Sequence, residues 1–172
     1  MFTTPNSPRQ RNTVVFLRST DEGRSWHYLS HIVNNHWFDF SEPDVIEVTP
    51  NRLLVVMRVD LPPEGERPVP IVGYGHYLYQ TESADLGQTW SEPVELPLWG
   101  HPPNLTLLKS GNILLVYGHR RSPYSVRAIL SRDGGKSWDI NTLRTLHIFE
   151  PGGRDIGYPV ATQMDDGSIF CA

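Results

Sequence analysis

The octapeptide SRDGGKSW, residues 131–138, decides how this chain reads. Its fixed points are Ser131, Asp133, Gly135 and Trp138, and the same spacing returns in STDEGRSW at 19–26 and SADLGQTW at 83–90. Ser19, Asp21, Gly23 and Trp26, then Ser83, Asp85, Gly87 and Trp90, complete three copies of S-x-D-x-G-x-x-W. An Asp in a tight turn accepts hydrogen bonds from backbone N–H groups just after it, and Ser does so more weakly. Gly supplies the positive φ that such a turn needs. The Trp brings a large apolar face, expected to cover the edge of the hairpin at the start of its outer strand. Asp21, Asp85 and Asp133 are therefore read as turn-building residues, not as catalytic acids.

A second element keeps step with these boxes. EPDVIEVTPNRLLVVMR (42–58), HPPNLTLLKSGNILLVYG (101–118) and GYPVATQMDDGSIFCA (157–172) align on Pro43, Pro103 and Pro159. Each is a short apolar strand, a polar turn and a second apolar strand; the last two turns carry Gly111 and Gly167, as hairpins favour. After each complete pair come another apolar run and a box. The unit is strand A, turn, strand B, loop, strand C, box, strand D. Four-stranded antiparallel units recurring every ~45–60 residues read as propeller blades. The expected fold is all-β, about three blades' worth of a six-bladed β-propeller. Its parts are a half blade at 1–38, blades at 39–99 and 100–150, and a half blade at 151–172. Such a chain is expected to be a segment of a longer one. The alternative is self-association, in which two chains close a ring through open blade edges.

The composition narrows the function classes. A chain of 172 residues suffices for one domain with a real core. Its formal net charge of -4, with both signs interspersed and no basic run, argues against a nucleic-acid surface. No run of about 18 apolar residues exists to span a membrane as a helix. The segment MFTTPNSPRQRN, 1–12, lacks the apolar stretch of a secretory signal, and no location follows from that. The single cysteine, Cys171, forms no internal disulfide. His36, His76, His101 and His119 share no metal-ligand spacing, so solvated or core roles are expected, with His101 and His119 near a rim. The Pro-rich insert DLPPEGERPVPIVGYGH, 60–76, reads as a surface loop, with a lid as the alternative.

Antiparallel pairing sets the start of each A strand beside the end of its B strand. A turn centred near residue 50 then puts Glu42 opposite Arg58, and the next turn puts His101 opposite Arg120. Tyr158 holds the same entry position in the last unit. These residues share one expected rim, and the boxes and A–B turns the other. Asp44 is a rival carboxylate to Glu42.

Three boxes in register with propeller strands resemble the Asp-box (BNR) repeats of the sialidase, or neuraminidase, superfamily. The chain looks like the later half of a bacterial-type exo-sialidase. That resemblance implies a retaining glycoside hydrolase with a Tyr nucleophile, no cofactor, and a sialylated or other acidic glycan as partner. By the resemblance, Tyr158 in DIGYP matches the nucleophile and Glu42 the base that activates it. Arg58 matches the second arginine of a carboxylate-binding triad; Arg120 or Arg121, with Arg127 further along, is the candidate for the third. The chemistry is consistent, since arginine forks bind carboxylates bidentately. A neutral Tyr beside a Glu base also approaches an anomeric carbon whose carboxylate would repel an anionic nucleophile. Two departures stand out. Pro159 follows the Tyr where the family usually has Ser, and the residues before 42 do not supply the family's first arginine and aspartate acid/base. The alternative readings are an Asp-box glycosidase acting on another sugar, and a non-catalytic glycan-binding propeller whose binding survives loss of Tyr158 but not of Arg58.

Overall fold

The structure, a computed structural model, describes residues 13–34, 36–62, 76–149 and 156–172. The segment 1–12, read for a secretory signal, and residues 63–75 of the Pro-rich insert lie outside the described residues. Twelve strands and no helix occur among the described residues. A two-stranded sheet, β1 (Val15–Arg18) and β2 (His27–His31), comes first. A four-stranded sheet follows, ordered β3 (Asp39–Thr49), β4 (Arg52–Asp60), β5 (Tyr77–Ser83), β6 (Val94–Trp99). The next has the same order: β7 (Pro103–Leu107), β8 (Ile113–His119), β9 (Ser125–Ser131), β10 (Asp139–Ile148). The pair β11 (Ala161–Gln163) and β12 (Ile169–Cys171) closes the series. Every pairing is antiparallel. This is a partial β-propeller with about three blades' worth of strands.

The sheets hold one another face to face. Leu54, Val56 and Leu78 of the first complete blade pack against Leu105, Leu115 and Tyr117 of the next. Val14 and Ile32 pack with Phe38, Phe40 and Tyr79 on the other side of that first blade. Strand β8, ILLVYGH, is buried at every residue because neighbours cover both of its faces. A continuous apolar run, not an alternation, is the pattern such burial selects.

The boxes share one geometry. Asp21 accepts the Ser25 N–H at 2.9 Å and hydroxyl at 2.6 Å; Asp85 accepts the same two groups of Thr89, and Asp133 those of Ser137, at the same distances. The leading Ser bonds the Asp and accepts the Gly N–H, as in Ser131 with Gly135 at 2.8 Å. These donors, the hydroxyl of Ser25, Thr89 or Ser137 foremost, lower each box carboxyl to about 2. Trp90 and Trp138 depart from expectation. Trp90 donates to Ser30 of the preceding pair at 3.0 Å and stacks on Phe16 with centroids 4.2 Å apart. Trp138 donates to Gln80 of the preceding blade at 3.0 Å. Trp26 is 60% exposed and bonds the carbonyl of its own Gly23 at 3.0 Å. The indoles of Trp90 and Trp138 thus latch neighbouring sheets together, whereas that of Trp26 serves its own turn.

Register also differs from expectation near one rim. Val45 pairs with Val55 as a turn centred at residue 50 requires, but a shift between Ser41 and Asp44 leaves Ser41, not Glu42, opposite Arg58. Glu42 sits in that irregularity with φ 44. A bulge re-aims the side chain it carries. In the next blade Pro103 faces Tyr117 and the His101 N–H bonds the Gly118 carbonyl at 2.8 Å. His101 therefore lies level with His119, one residue short of Arg120, because the turn closes with Leu108 donating to Asn112 at 2.9 Å. The A–B turns and boxes do share a rim: Leu86 donates to Asn51 at 3.3 Å, and Arg52 to the Gly134 carbonyl at 2.7 Å.

Candidate active site

At the opposite ends of these strands, Glu42, Arg58 and Tyr158 form one hydrogen-bonded chain. The Tyr158 hydroxyl donates to Glu42 Oε1 at 2.6 Å, joining residues 116 apart in sequence. Arg58 Nη1 donates to both Glu42 oxygens, at 3.0 and 3.1 Å. Arg58 Nη2 pairs with Asp60 Oδ1 at 2.6 Å, and the Ser41 hydroxyl donates to the other Asp60 oxygen. Tyr158 is 68% exposed, so the phenol ring stands at the surface while its oxygen is held. Both Glu42 and Tyr158 are non-glycine residues with positive φ, 44 and 59. Such conformations cost of order 1–3 kcal/mol each and persist only where the surroundings over-determine them.

The electrostatics follow from these contacts. The hydrogen bond to Glu42, and then its negative charge, hold the Tyr158 phenol above the ordinary tyrosine value, while Arg58 and Arg120 pull it down. Burial disfavours the charge on Arg58, yet the Glu42 hydrogen bond and the charges of Asp60 and Glu42 leave it above its usual value. His101 is 3% exposed. Burial first, then the positive charge of Arg58, push its imidazole down to about 3, so the ring is neutral at physiological pH.

The remaining candidates fall around this chain. Arg120 Nε donates to the Ile156 carbonyl at 2.7 Å, two residues before Tyr158. The Arg121 guanidinium lies over the Trp99 ring, 4.1 Å from its centroid. Arg127 donates to Ser125 at 3.3 Å along β9. Asp44 is used elsewhere: it accepts from Asn104 at 3.0 Å and from the Leu105 N–H at 2.5 Å, tying β3 to β7. Asp60 was not foreseen, although it follows Arg58 by two positions on β4, the spacing that shares a strand face. A chain of ring contacts was also not foreseen. It runs from His101 to His76 at 4.9 Å, on to Trp99 at 5.4 Å and His119 at 5.5 Å. Among the described residues, Arg58 Nε, Trp99 Nε1 and Nδ1 of His76, His101 and His119 are buried without a hydrogen-bond partner. Buried polar atoms are seldom left unpaired. No group of three or more His, Cys, Asp or Glu suited to a metal ion occurs among the described residues. The arrangement is suited to moving a proton from a phenol to a carboxylate, and to presenting that phenol to a molecule at the surface.

Comparison with known proteins gives the setting. The family described as BNR repeat-like domain matches residues 2–171. No curated protein matches the chain. A protein of unknown function from Dyadobacter fermentans shares 24% identity at a TM-score of 0.72, over 90% of this chain and 39% of that one. The Penicillium chrysogenum alpha-L-arabinanase, complexed with arabinobiose, shares 18% at 0.62, over 93% of this chain and 48% of that one. The NanB sialidase of Streptococcus pneumoniae shares 16% at 0.61, over 92% of this chain and 23% of that one. The chain thus spans less than half the length of each of these structures, and the likeness is one of fold.

Proposed function

Because the chain belongs to the BNR repeat-like domain family, and its fold is that of glycosidase propellers, we propose that it carries the nucleophile half of a retaining exo-glycosidase, an exo-alpha-sialidase. The observation that carries the reading is the 2.6 Å bond from Tyr158 to Glu42. A phenol is a weak nucleophile until a base takes its proton, and here the base is already in contact. Tyr158 Oη bonds to the anomeric carbon as its proton passes to Glu42. The glycosidic C–O bond breaks, and its oxygen takes a proton from an acid that other blades supply. Water then attacks the anomeric carbon and gives its proton to the conjugate base of that acid, while the bond to Tyr158 breaks and Glu42 returns the proton to Tyr158. Two displacements at one carbon retain its configuration. Arg58, with Arg120 or Arg121, supplies the cationic side of the site that suits a substrate carboxylate.

One observation favours a second reading, a neutral sugar as substrate. Asp60 already occupies Arg58 Nη2 at 2.6 Å, and Glu42 occupies Nη1. An arginine so committed has less to offer a carboxylate, and one structural neighbour was solved with arabinobiose.

The test uses donors with an activated leaving group, which depart without acid assistance. The chain is incubated with an aryl sialoside and, separately, an aryl arabinofuranoside, and peptide mass mapping locates any glycosyl adduct. A sialosyl adduct on Tyr158, absent in Tyr158→Phe, is expected. An arabinosyl adduct alone would favour the second reading. Turnover undiminished in Tyr158→Phe would overturn both.

A further inference from the structure

We infer that Arg120 is a positioning residue, which acts on the reaction by clamping the backbone ahead of Tyr158. Its bearing on catalysis rests on the proposed role of Tyr158; the clamp itself does not.

Three contacts thread residues 156–158 past the end of β8. Arg120 Nε donates to the Ile156 carbonyl at 2.7 Å, and Ile156 is 5% exposed, a buried anchor. Gly118 leaves room for that carbonyl: a Cβ there would lie 2.7 Å from Ile156 O and 2.8 Å from His101 O, both backbone atoms. Gly157 leaves room for the guanidinium: a Cβ there would lie 2.7 Å from Arg120 Nη2. The chain next enters Tyr158 at φ 59 and delivers its hydroxyl to Glu42. A positive φ at a non-glycine needs outside support. The rigid guanidinium fork supplies it one peptide earlier, as a flexible ammonium would not.

A titration separates this role from mere charge, because the two predict opposite signs. Glu42, Arg58 and Arg120 are the charged groups that act on the Tyr158 phenol. If Arg120 contributed only its charge, Arg120→Ala would remove a cation that favours phenolate, and Tyr158 would titrate higher. If Arg120 positions Tyr158, the same change frees the phenol from Glu42, and it titrates lower, towards the ordinary tyrosine value. The readout is NMR of ring-labelled tyrosine in the whole chain, with Tyr158→Phe assigning the resonance. The expected result is a downward shift in Arg120→Ala; a rise or no change overturns the proposal. Arg120→Lys keeps the charge and loses the fork, while Gly157→Ala keeps the arginine and disturbs its seat. Both are expected to shift downward, and they carry the same decision if near-UV circular dichroism shows Arg120→Ala misfolded. A Tyr158 that titrates normally in the unaltered chain would instead remove the contact with Glu42, and with it the proposed function.

Discussion

The two rims of this propeller segment depend on different supports. Both carry non-glycine residues at positive φ: Glu22 and Leu86 in the boxes, Glu42 and Tyr158 at the candidate site. In the boxes the compensation is local. Each box Asp takes its donors from a residue four positions on, and each leading Ser takes the glycine N–H at the same step. At the site it is remote. Tyr158 is met by a carboxylate 116 residues away, and the peptide before it by an arginine 36 away. A turn satisfied from within can recur wherever the blade recurs. A conformation held by distant partners depends on the particular residues that meet there, and that is where a reactive group can be kept ready.

The sharpest way to break the comparison is at the site. Glu42→Gln removes the proton acceptor and should lower kcat by ~10²–10⁴-fold, with Tyr158→Phe at least as severe, both measured as release of an aryl leaving group. Each change should lower the melting temperature by no more than the loss of a hydrogen bond or two, ~1–3 kcal/mol, since the backbone at both positions keeps its positive φ. An equal loss of melting temperature and activity would mean that the two residues are structural.

How much of this was legible in the sequence follows from the same contrast. The boxes were readable because Ser131, Asp133, Gly135 and Ser137 complete their bonds within one octapeptide. Antiparallel pairing alone placed Glu42, Arg58 and Tyr158 on one rim, but not the bulge that turns Glu42 toward Tyr158. No side-chain pattern announces a bulge. The partner of Arg120 was illegible for a related reason: it is a backbone carbonyl, Ile156 O, which every residue possesses. The tryptophans were seen and misplaced, because the box fixes where Trp90 and Trp138 begin and the preceding blade fixes where they end.

That last point gives the next effect in size. Trp90→Ala removes a ring stacked on Phe16 and a bond to Ser30, and should cost ~2–4 kcal/mol. Trp26→Ala, at the 60% exposed copy, should fall within ~0.5 kcal/mol of the parent. Urea unfolding of the two variants measures the difference, and equal losses would show that the indole serves its own turn. Gly135→Ala should follow closely. Its φ is 90 and a Cβ would lie 2.6 Å from Leu54 Cδ2, whereas Gly111, at φ 84, has open space. Gly111→Ala should therefore show only the left-handed backbone cost, ~1–2 kcal/mol, and Gly135→Ala that cost plus a clash in the core.

The smallest effect per site is the acid response of the boxes, and its sign is fixed. Their hydrogen-bond donors lower Asp21, Asp85 and Asp133 from 3.8 to about 2 in the folded chain. A carboxyl with a depressed folded value adds stability above its unfolded value and loses it as pH falls through the folded one. The melting temperature should therefore decline as pH is lowered from about 4 to about 2, and Asp133→Asn should flatten part of that decline. Each box carboxylate takes its donors from within its own turn, so the decline should be gradual and divisible among the three. A single steep step, abolished by one substitution, would mean that the repeats are coupled through the sheets and that the support of this rim is less local than its hydrogen bonds.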